Sequence, residues 1–216
     1  MVHFSNRRSH RADARRVEIL RAAARTFREV GFAAAGMRDI ATAADLSPGN
    51  LYHYFAGKDE LLYFCQSRSL DRMLDALARA RTDRGAMRSR LHDLAVAHVL
   101  CVIDEVDGSA AHLEVHALPP RLRAAIVRKR DTYERGVRAL IGDAIATRAF
   151  LGALNWTAYW YRPDGPLPAS VVATQVADFA VAGLNLHEKH AHRPDRQRRT
   201  DRGRVRRVQN AARSSA

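Results

Sequence analysis

The chain has 216 residues, of which 47% are hydrophobic, and this is enough for one or two domains with a packed core. Two cysteines, Cys65 and Cys101, exclude a disulfide framework and a cysteine-rich metal site, so a reduced cytoplasm is expected. The N-terminus lacks the apolar segment of a signal peptide, and the longest apolar run, 94–103, is too short to span a bilayer. We expect a cytoplasmic protein with no membrane partner, and the large excess of Arg over Lys suits a bacterial source.

The positive charge lies mainly at the two ends of the chain. Of the formal net charge of +13, residues 1–16 contribute +4 and residues 187–216 contribute +7, so the body between them is nearly neutral. Basic tails are usually disordered and often bind nucleic acid without sequence specificity. We expect residues 1–12 to form a mobile basic arm that contacts phosphate or the minor groove, whereas the C-terminal tail is equally well explained as a solvated segment.

The first third of the chain predicts three helices and the start of a fourth, over 13–30, 37–44, 48–55 and 58–80. Gly31 ends the first helix as a C′ residue, and Gly36 serves as N-cap of the second. Asp45 falls in the tight turn that follows, where aspartate tolerates left-handed geometry. Ser47 caps the third helix, with Pro48 at its first position.

The remainder also predicts helices, over 87–106, 110–118, 119–146, 150–161 and 169–186. No segment shows the alternation of a strand, and Pro and Gly are few. Residues 162–168 form a rigid proline-rich loop. The fold class is therefore all-α: an N-terminal three-helix domain and a larger helical domain.

The predicted third helix carries three adjacent large polar rings, Tyr52, His53 and Tyr54. Leu51 and Phe55 already occupy its inward face, so the rings cannot all face the core. We interpret the outward-facing rings as contacts for the major groove of DNA. The alternative for one of them, most plausibly Tyr54, is partial burial in the core.

The whole stretch resembles the DNA-binding domain of TetR-family transcriptional regulators. The resemblance covers 13–62 and includes Arg38-Asp39-Ile40-Ala41, Leu46 to Phe55 and Lys58-Asp59-Glu60-Leu61-Leu62. It implies a helix-turn-helix that binds double-stranded DNA through base edges and phosphates. The DNA-binding residues it implies are Arg38, Ser47, Gly49, Asn50, Tyr52, His53, Tyr54 and Lys58, with Lys58 as a phosphate-binding lysine. Two positions depart from the family: Ala35-Gly36 replaces a phosphate-contacting Thr or Ser, and Asp45 replaces the usual turn glycine.

The downstream half resembles regulators of fatty-acid and sterol breakdown, through Ala117 to Arg121, Arg130 to Glu134 and Leu151 to Gly165. Those regulators sense acyl-CoA thioesters and dimerise through their last two helices. The resemblance implies a small hydrophobic or acyl-CoA effector bound by Phe64, His98, Arg130, Trp156, Trp160 and Arg162. It implies a homodimer interface at Val172, Val176, Phe179, Ala180 and Gly183. The alternative for each proposed ligand residue is an ordinary core position.

One segment is shorter than the resemblance leads us to expect. The long helix ending near Ala146 and the apolar helix starting near Phe150 lack an intervening stretch of residues. We therefore expect either that the two helices fuse or that the helix before Trp156 is much shortened. Either change would alter the pocket or the dimer interface.

The resulting prediction is a basic arm (1–12), a helix-turn-helix domain (13–57), a ligand-binding and dimerisation domain (58–186) and a disordered basic tail (187–216). The predicted protein is a nucleoid-associated dimeric repressor, not an enzyme, that binds a palindromic operator and is released by its effector. One alternative is a sequence-tolerant DNA-binding protein without a functional sensor. Another is a metalloprotein using His112 and His116 or the tail histidines His187, His190 and His192, but no third ligand or nucleophile is evident, so no cofactor or metal is predicted.

Overall fold

The computed structural model describes residues 3–103 and 115–184, and for residues 3–13 it describes the backbone alone. These residues contain helices and connecting turns with no strand, which confirms the all-α prediction. The α-helices are α1 (His3–Ala34), α2 (Met37–Ala43), α3 (Pro48–Tyr52), α4 (Lys58–Thr82), α5 (Met87–Ile103), α6 (Pro120–Ile141), α7 (Ala144–Trp160) and α8 (Ala169–Ala182). A short 3₁₀ helix, Val115–Ala117, precedes α6. No helix in this part of the chain is long and apolar enough to cross a membrane.

The first helix begins earlier than predicted, at His3 rather than Asp13. It is interrupted at Gly31, whose φ of 80° is left-handed, so the predicted end of the regular helix is confirmed at that glycine. The predicted arm, 1–12, is therefore helical from His3 onward. Its mobility and its contacts with DNA stay predictions.

The short helices α2 and α3 are held by the caps that the sequence predicts. Gly36 is the N-cap of α2, and the Asp39 carboxylate accepts from its N–H at 2.9 Å. Asp45 adopts a φ of 53° in the turn between the helices. The Ser47 hydroxyl accepts from the Asn50 N–H at 3.2 Å, and Pro48 occupies the first helical position. A small core holds the three helices together, formed by the buried side chains of Ile19, Phe27, Ile40, Leu51 and Phe55.

The larger helical layer is built around α4 and α5. Helix α5 packs against α4, α7 and α8, and α6 packs against α4. A Cβ atom at Gly136 of α6 would clash with the buried Leu77 side chain of α4, so the glycine allows the two helices to approach closely. Because α4 also packs against α1, the helix belongs to both layers, and the division into 13–57 and 58–186 stays a prediction.

The predicted connection between α6 and α7 is wrong. Helix α6 ends at Ile141, and Gly142 follows in the left-handed conformation with a φ of 86°. Asp143 then caps α7, its carboxylate accepting from the Ala146 N–H at 2.7 Å. The helices do not fuse, and α7 keeps 17 residues. Gly142 ends one helix and Asp143 caps the next, but the apolar residues around this pair obscured both signals in the sequence.

The ends of three other predicted helices differ from the structure or lie outside its described residues. The predicted helix 110–118 is described only from 115, where it is a 3₁₀ turn. Helix α5 is described to Ile103, and α8 ends at Ala182 rather than at 186. The basic tail, 187–216, lies outside the described residues.

Candidate nucleic-acid interface and interior cavity

The exposed side of α3 presents the residues predicted to read DNA. Leu51 and Phe55 are buried, whereas Gly49, Asn50, Tyr52 and His53 are exposed. A Cβ atom at Gly49 would touch nothing, so the surface beside Asn50 is open. This part of the chain offers amide, phenol and imidazole groups on one exposed surface, which suits hydrogen bonding to bases and phosphates.

The three rings do not share one environment. The α-helix ends at Tyr52, which is 53% exposed, and His53 is its C-cap. The chain then tightens, since the Tyr54 N–H donates to the Leu51 carbonyl at 3.0 Å. Tyr54 is half-buried, as in the alternative interpretation of that residue. Tyr52 and His53 therefore face outward, and Tyr54 lies partly against the domain.

The predicted phosphate contacts differ in how available they are. Arg38 is exposed on α2. The Ser47 oxygen accepts from the backbone of α3, but its hydroxyl hydrogen can still donate. The N–H of Gly36 is already bonded to Asp39, so it is not offered to a phosphate. Together with Arg38, Ser47 carries the predicted phosphate contacts on this side of the motif.

The ammonium group of Lys58, which the sequence predicts to bind a phosphate, contacts backbone carbonyls of the protein. The group donates to the carbonyls of Phe32 and Ala33 at 3.0 Å and of Ala35 at 3.4 Å. It also lies 4.7 Å from the centre of the Phe32 ring. An ammonium group has three N–H bonds, and all of them are used here. Lys58 therefore ties the start of α4 to the end of α1, and its contact with phosphate stays a prediction.

Arg15 makes a second link that the sequence did not reveal. Its guanidinium donates to the carbonyls of Ala44 at 3.1 Å and Asp45 at 3.3 Å, and it pairs with Glu18 at 2.6 Å. It therefore holds the end of α2 against α1. An isolated arginine in a basic segment gives no sign of this role, because the carbonyls lie 29 and 30 residues away.

An interior cavity of about 370 Å³ lies among α4, α5, α6 and α7. Two of the predicted ligand residues, His98 and Arg130, line it. Burial lowers the pKa of Arg130. The residues that sequence reasoning missed are Leu70, Met73, Val102, Tyr133, Glu134, Leu151, Asn155, Ala158 and Tyr159.

A chain of hydrogen bonds crosses this cavity wall and joins three helices. His98 Nδ1 lies 3.0 Å from the Tyr133 hydroxyl, and Nε2 lies 3.2 Å from Asn155 Oδ1. Burial lowers the pKa of His98 to about 4, against a smaller opposing effect of the Asn155 hydrogen bond, so the imidazole is neutral at pH 7. Burial, and then the nearby Cys101, raises the pKa of Tyr133. Since Asn155 Oδ1 only accepts, Nε2 carries the proton, and Tyr133 donates to Nδ1.

The other four predicted ligand residues lie outside the cavity. Trp156 and Trp160 are 61% and 47% exposed on α7, because the helix turns Leu151, Asn155 and Ala158 inward instead. Arg162 is exposed in the loop after α7. Phe64 lies in a surface groove between α1 and α4. The apolar pattern of α7 did not reveal which of its faces was interior.

The predicted dimer residues divide into buried and exposed sets. Val172 and Ala180 are buried inside the protomer against the other helices, so the structure corrects their assignment to the dimer interface. Val176 is half-buried and Gly183 is exposed. Phe179 is 75% exposed, which is unusual for so large an apolar side chain.

Phe179 is one of several large apolar side chains that are exposed on the last two helices. We call them together the α7–α8 face; they are Ile145, Trp156, Tyr159, Trp160, Val171 and Phe179. Trp156 and Tyr159 stack with ring centres 4.8 Å apart. Gly152 is exposed on the same helix, and nothing lies near the position of its missing Cβ. Exposed apolar patches of this kind mark interaction surfaces.

The histidines that suggested a metal site do not form one within the part of the chain that the structure describes. His112, His187, His190 and His192 lie outside them, and His116 is exposed in the 3₁₀ turn. Within the described ranges, no three potential metal-binding side chains come together.

Comparison with known proteins identifies the chain. Residues 19–63 match the family model of bacterial regulatory proteins of the TetR family, and residues 84–184 match that of the tetracyclin repressor-like C-terminal domain. The crystal structure of the TetR-family regulator PfmR from Thermus thermophilus is 31% identical, with a TM-score of 0.68 over 77% of this chain and 98% of that one. The chain belongs to the TetR family. The curated relatives that it matches are named HTH-type transcriptional repressors, regulators and an activator.

Two further TetR relatives cover nearly their whole length. The repressor KstR2 from Rhodococcus jostii is 29% identical over 79% of this chain and 91% of that protein. AibR, solved in complex with isovaleryl coenzyme A and operator DNA, shares the fold with a TM-score of 0.65 and 24% identity, over 79% of this chain and 97% of that one.

Proposed function

We propose that this TetR-family protein is a dimeric, nucleoid-associated repressor that binds a palindromic operator and is released by a small hydrophobic ligand, such as an acyl-CoA. The observation that carries the proposal is the exposed surface of Asn50, Tyr52 and His53 on and directly after α3, where Leu51 and Phe55 are buried in the core. Such a helix places its polar side chains in the major groove while its apolar side stays anchored.

Each group on this surface has a distinct proposed role. The Asn50 amide and the His53 ring contact base edges, since both offer donors and acceptors that differ between base pairs. Gly49 allows close approach of the backbone. Arg38, Ser47 and the Tyr52 hydroxyl contact phosphates and set the register of the helix on the duplex.

The α7–α8 face supports dimerisation. Its exposed aromatic side chains would be covered by the same face of a second copy across a two-fold axis. A two-fold axis also presents two copies of α3 to the duplex. Binding of both copies requires a separation of about 34 Å, one turn of DNA, so the operator is expected to be palindromic.

Ligand release acts through α4 in this proposal. Leu70 and Met73 of α4 line the cavity, and Lys58 at the start of the same helix is bonded to the end of α1. A ligand that displaces α4 therefore changes the position of the DNA-reading helices. The ligand weakens DNA binding to the extent that it binds the displaced arrangement of α4 more tightly than the undisplaced one.

The test is selection of binding sites by the purified full-length chain from random duplexes, followed by electrophoretic mobility shifts. We expect an enriched palindrome, and Asn50→Ala and His53→Ala variants that lose preference at defined base pairs. An acyl-CoA that binds the protein should release the DNA. Binding that is steep in salt but insensitive to sequence would refute the operator and favour the alternative of a DNA-binding protein without a sensor.

A further inference from the structure

The interior cavity has an apolar end and a polar opening. Its inner wall is formed by the buried side chains of Leu70, Met73, His98 and Val102. Its open side carries the exposed side chains of Glu134, Asn155 and Tyr159. A molecule that binds here must therefore place its apolar end inward and a polar group at the opening.

The hydrogen-bond chain determines which polar group fits. His98 is neutral and donates through Nε2 to Asn155 Oδ1, while Tyr133 donates to Nδ1. The oxygen of the Asn155 amide is thereby engaged, and its two N–H bonds remain to offer. Such bonds suit an acceptor oxygen, and the carbonyl of the acyl class named in the proposed function supplies one.

The volume of the cavity limits what can enter. At about 30 Å³ per non-hydrogen atom, the value for water, 370 Å³ holds about 12 such atoms. This matches an acyl chain of medium length with its carbonyl. A four-ring sterol skeleton and coenzyme A itself are larger, so a coenzyme A group would have to extend out of the opening past Glu134.

We infer that the cavity binds short- to medium-chain acyl groups, whose carbonyl oxygen accepts from the Asn155 amide and whose chain ends against Leu70, Met73 and Val102. The inference rests on the proposed function for its regulatory meaning, because it names the class of effector. The shared chemistry is the acyl carbonyl, which a coenzyme A thioester or a simple ester supplies equally.

Isothermal titration calorimetry of the full-length protein without DNA tests the size limit. The probes are butyryl-, octanoyl-, lauroyl- and palmitoyl-CoA, free coenzyme A and methyl octanoate. We expect affinity to rise about fourfold for each methylene buried, so by on the order of 100-fold from butyryl- to octanoyl-CoA. It should rise no further from lauroyl- to palmitoyl-CoA. Tighter binding of palmitoyl-CoA than of lauroyl-CoA, or free coenzyme A binding as tightly as octanoyl-CoA, would overturn the inference. If methyl octanoate binds, a simple ester is sufficient for binding. If octanoyl-CoA binds and methyl octanoate does not, the thioester is required.

The Asn155→Asp variant tests the carbonyl contact. Aspartate has the same shape and still accepts from His98, but it offers no donor and repels the carbonyl oxygen. We expect octanoyl-CoA affinity to fall about tenfold or more. The control, Ala78→Asp, adds the same carboxylate at an exposed position of α4 outside the cavity lining, and should keep the affinity. Unchanged affinity in Asn155→Asp, with an intact circular dichroism spectrum, refutes the contact.

These measurements separate the inference from the proposed function. Calorimetry detects the acyl group whether or not any DNA is bound. In one outcome, calorimetry shows that octanoyl-CoA binds, but octanoyl-CoA does not release selected operator DNA from the wild-type chain. That result would refute the effector role and leave the ligand site intact. If octanoyl-CoA neither binds in calorimetry nor releases the operator DNA, the inference and the proposed effector are both refuted.

Discussion

Lys58 offers the sharpest test of how the DNA-binding layer is held, because a role in linking α1 to α4 and a role in binding phosphate predict opposite results. A Lys58→Met change keeps the length of the side chain but removes three charge-assisted hydrogen bonds to the carbonyls after the Gly31 break and the contact over the Phe32 ring. The ammonium group is only partly buried, and water can replace some of these bonds. We expect the free energy of unfolding to fall by about 2 kcal/mol.

The salt dependence of DNA binding gives the second readout. A lysine bound to a phosphate contributes about 0.9 to the slope of log K against log salt concentration. Since the Lys58 ammonium group is already engaged with backbone carbonyls, the Lys58→Met variant should keep the wild-type slope. Arg38→Gln is the matched control: Arg38 is exposed, so the slope should fall by about 0.9 for each protomer bound, with unfolding unchanged.

Urea unfolding followed by circular dichroism, and fluorescence anisotropy of a labelled operator over a range of salt concentrations, measure the two quantities. A Lys58→Met variant with wild-type stability and a lowered slope would refute the role in holding α1 to α4. It would restore the phosphate contact that the sequence predicted.

The larger helical layer can be tested at three positions. Gly152→Arg should convert the proposed dimer to monomer in analytical ultracentrifugation, whereas Gly152→Ala should leave it dimeric; a Gly152→Arg variant that is as dimeric as the wild type would exclude the α7–α8 face as the interface. Gly136→Ala should destabilise the protein by about 1–3 kcal/mol in urea unfolding despite the better helix propensity of alanine, because the new methyl group meets Leu77; equal or greater stability would contradict the close approach. The pKa of His98 falls from 6.5 to about 4 on folding, so the unfolded chain binds the proton more tightly and stability is lost as the pH falls below 6.5. We expect about 2 kcal/mol less stability at pH 5 than at pH 7, and a smaller loss in His98→Gln, by urea unfolding at each pH; an equal loss in both proteins would assign the pH dependence to other groups.

Local signals in the sequence predicted the DNA-binding layer well. Caps and turns act over a few residues, so Gly36, Asp45, Ser47 and Pro48 could be assigned before any tertiary contact was known. The same kind of signal is present at Gly142-Asp143, but a long apolar run surrounds it and hides the boundary. The starts of α2 and α3, which capping residues set, were therefore predictable, whereas the start of α1 at His3 and the boundary at Gly142-Asp143 were not.

The ligand and dimer residues could not be assigned in the same way, for a physical reason. Helix α7 is apolar on more than one side, because one face lines the cavity and another is exposed. Hydropathy reports that Trp156 and Trp160 avoid water, but not whether their own protomer or a second copy would cover them. Hydropathy gives no reason to place the polar Asn155 at the cavity, yet its hydrogen bond to His98 places it there. In a helix with two apolar faces, the polar residue that is paired across the interior identifies the inner face better than the large aromatic residues do.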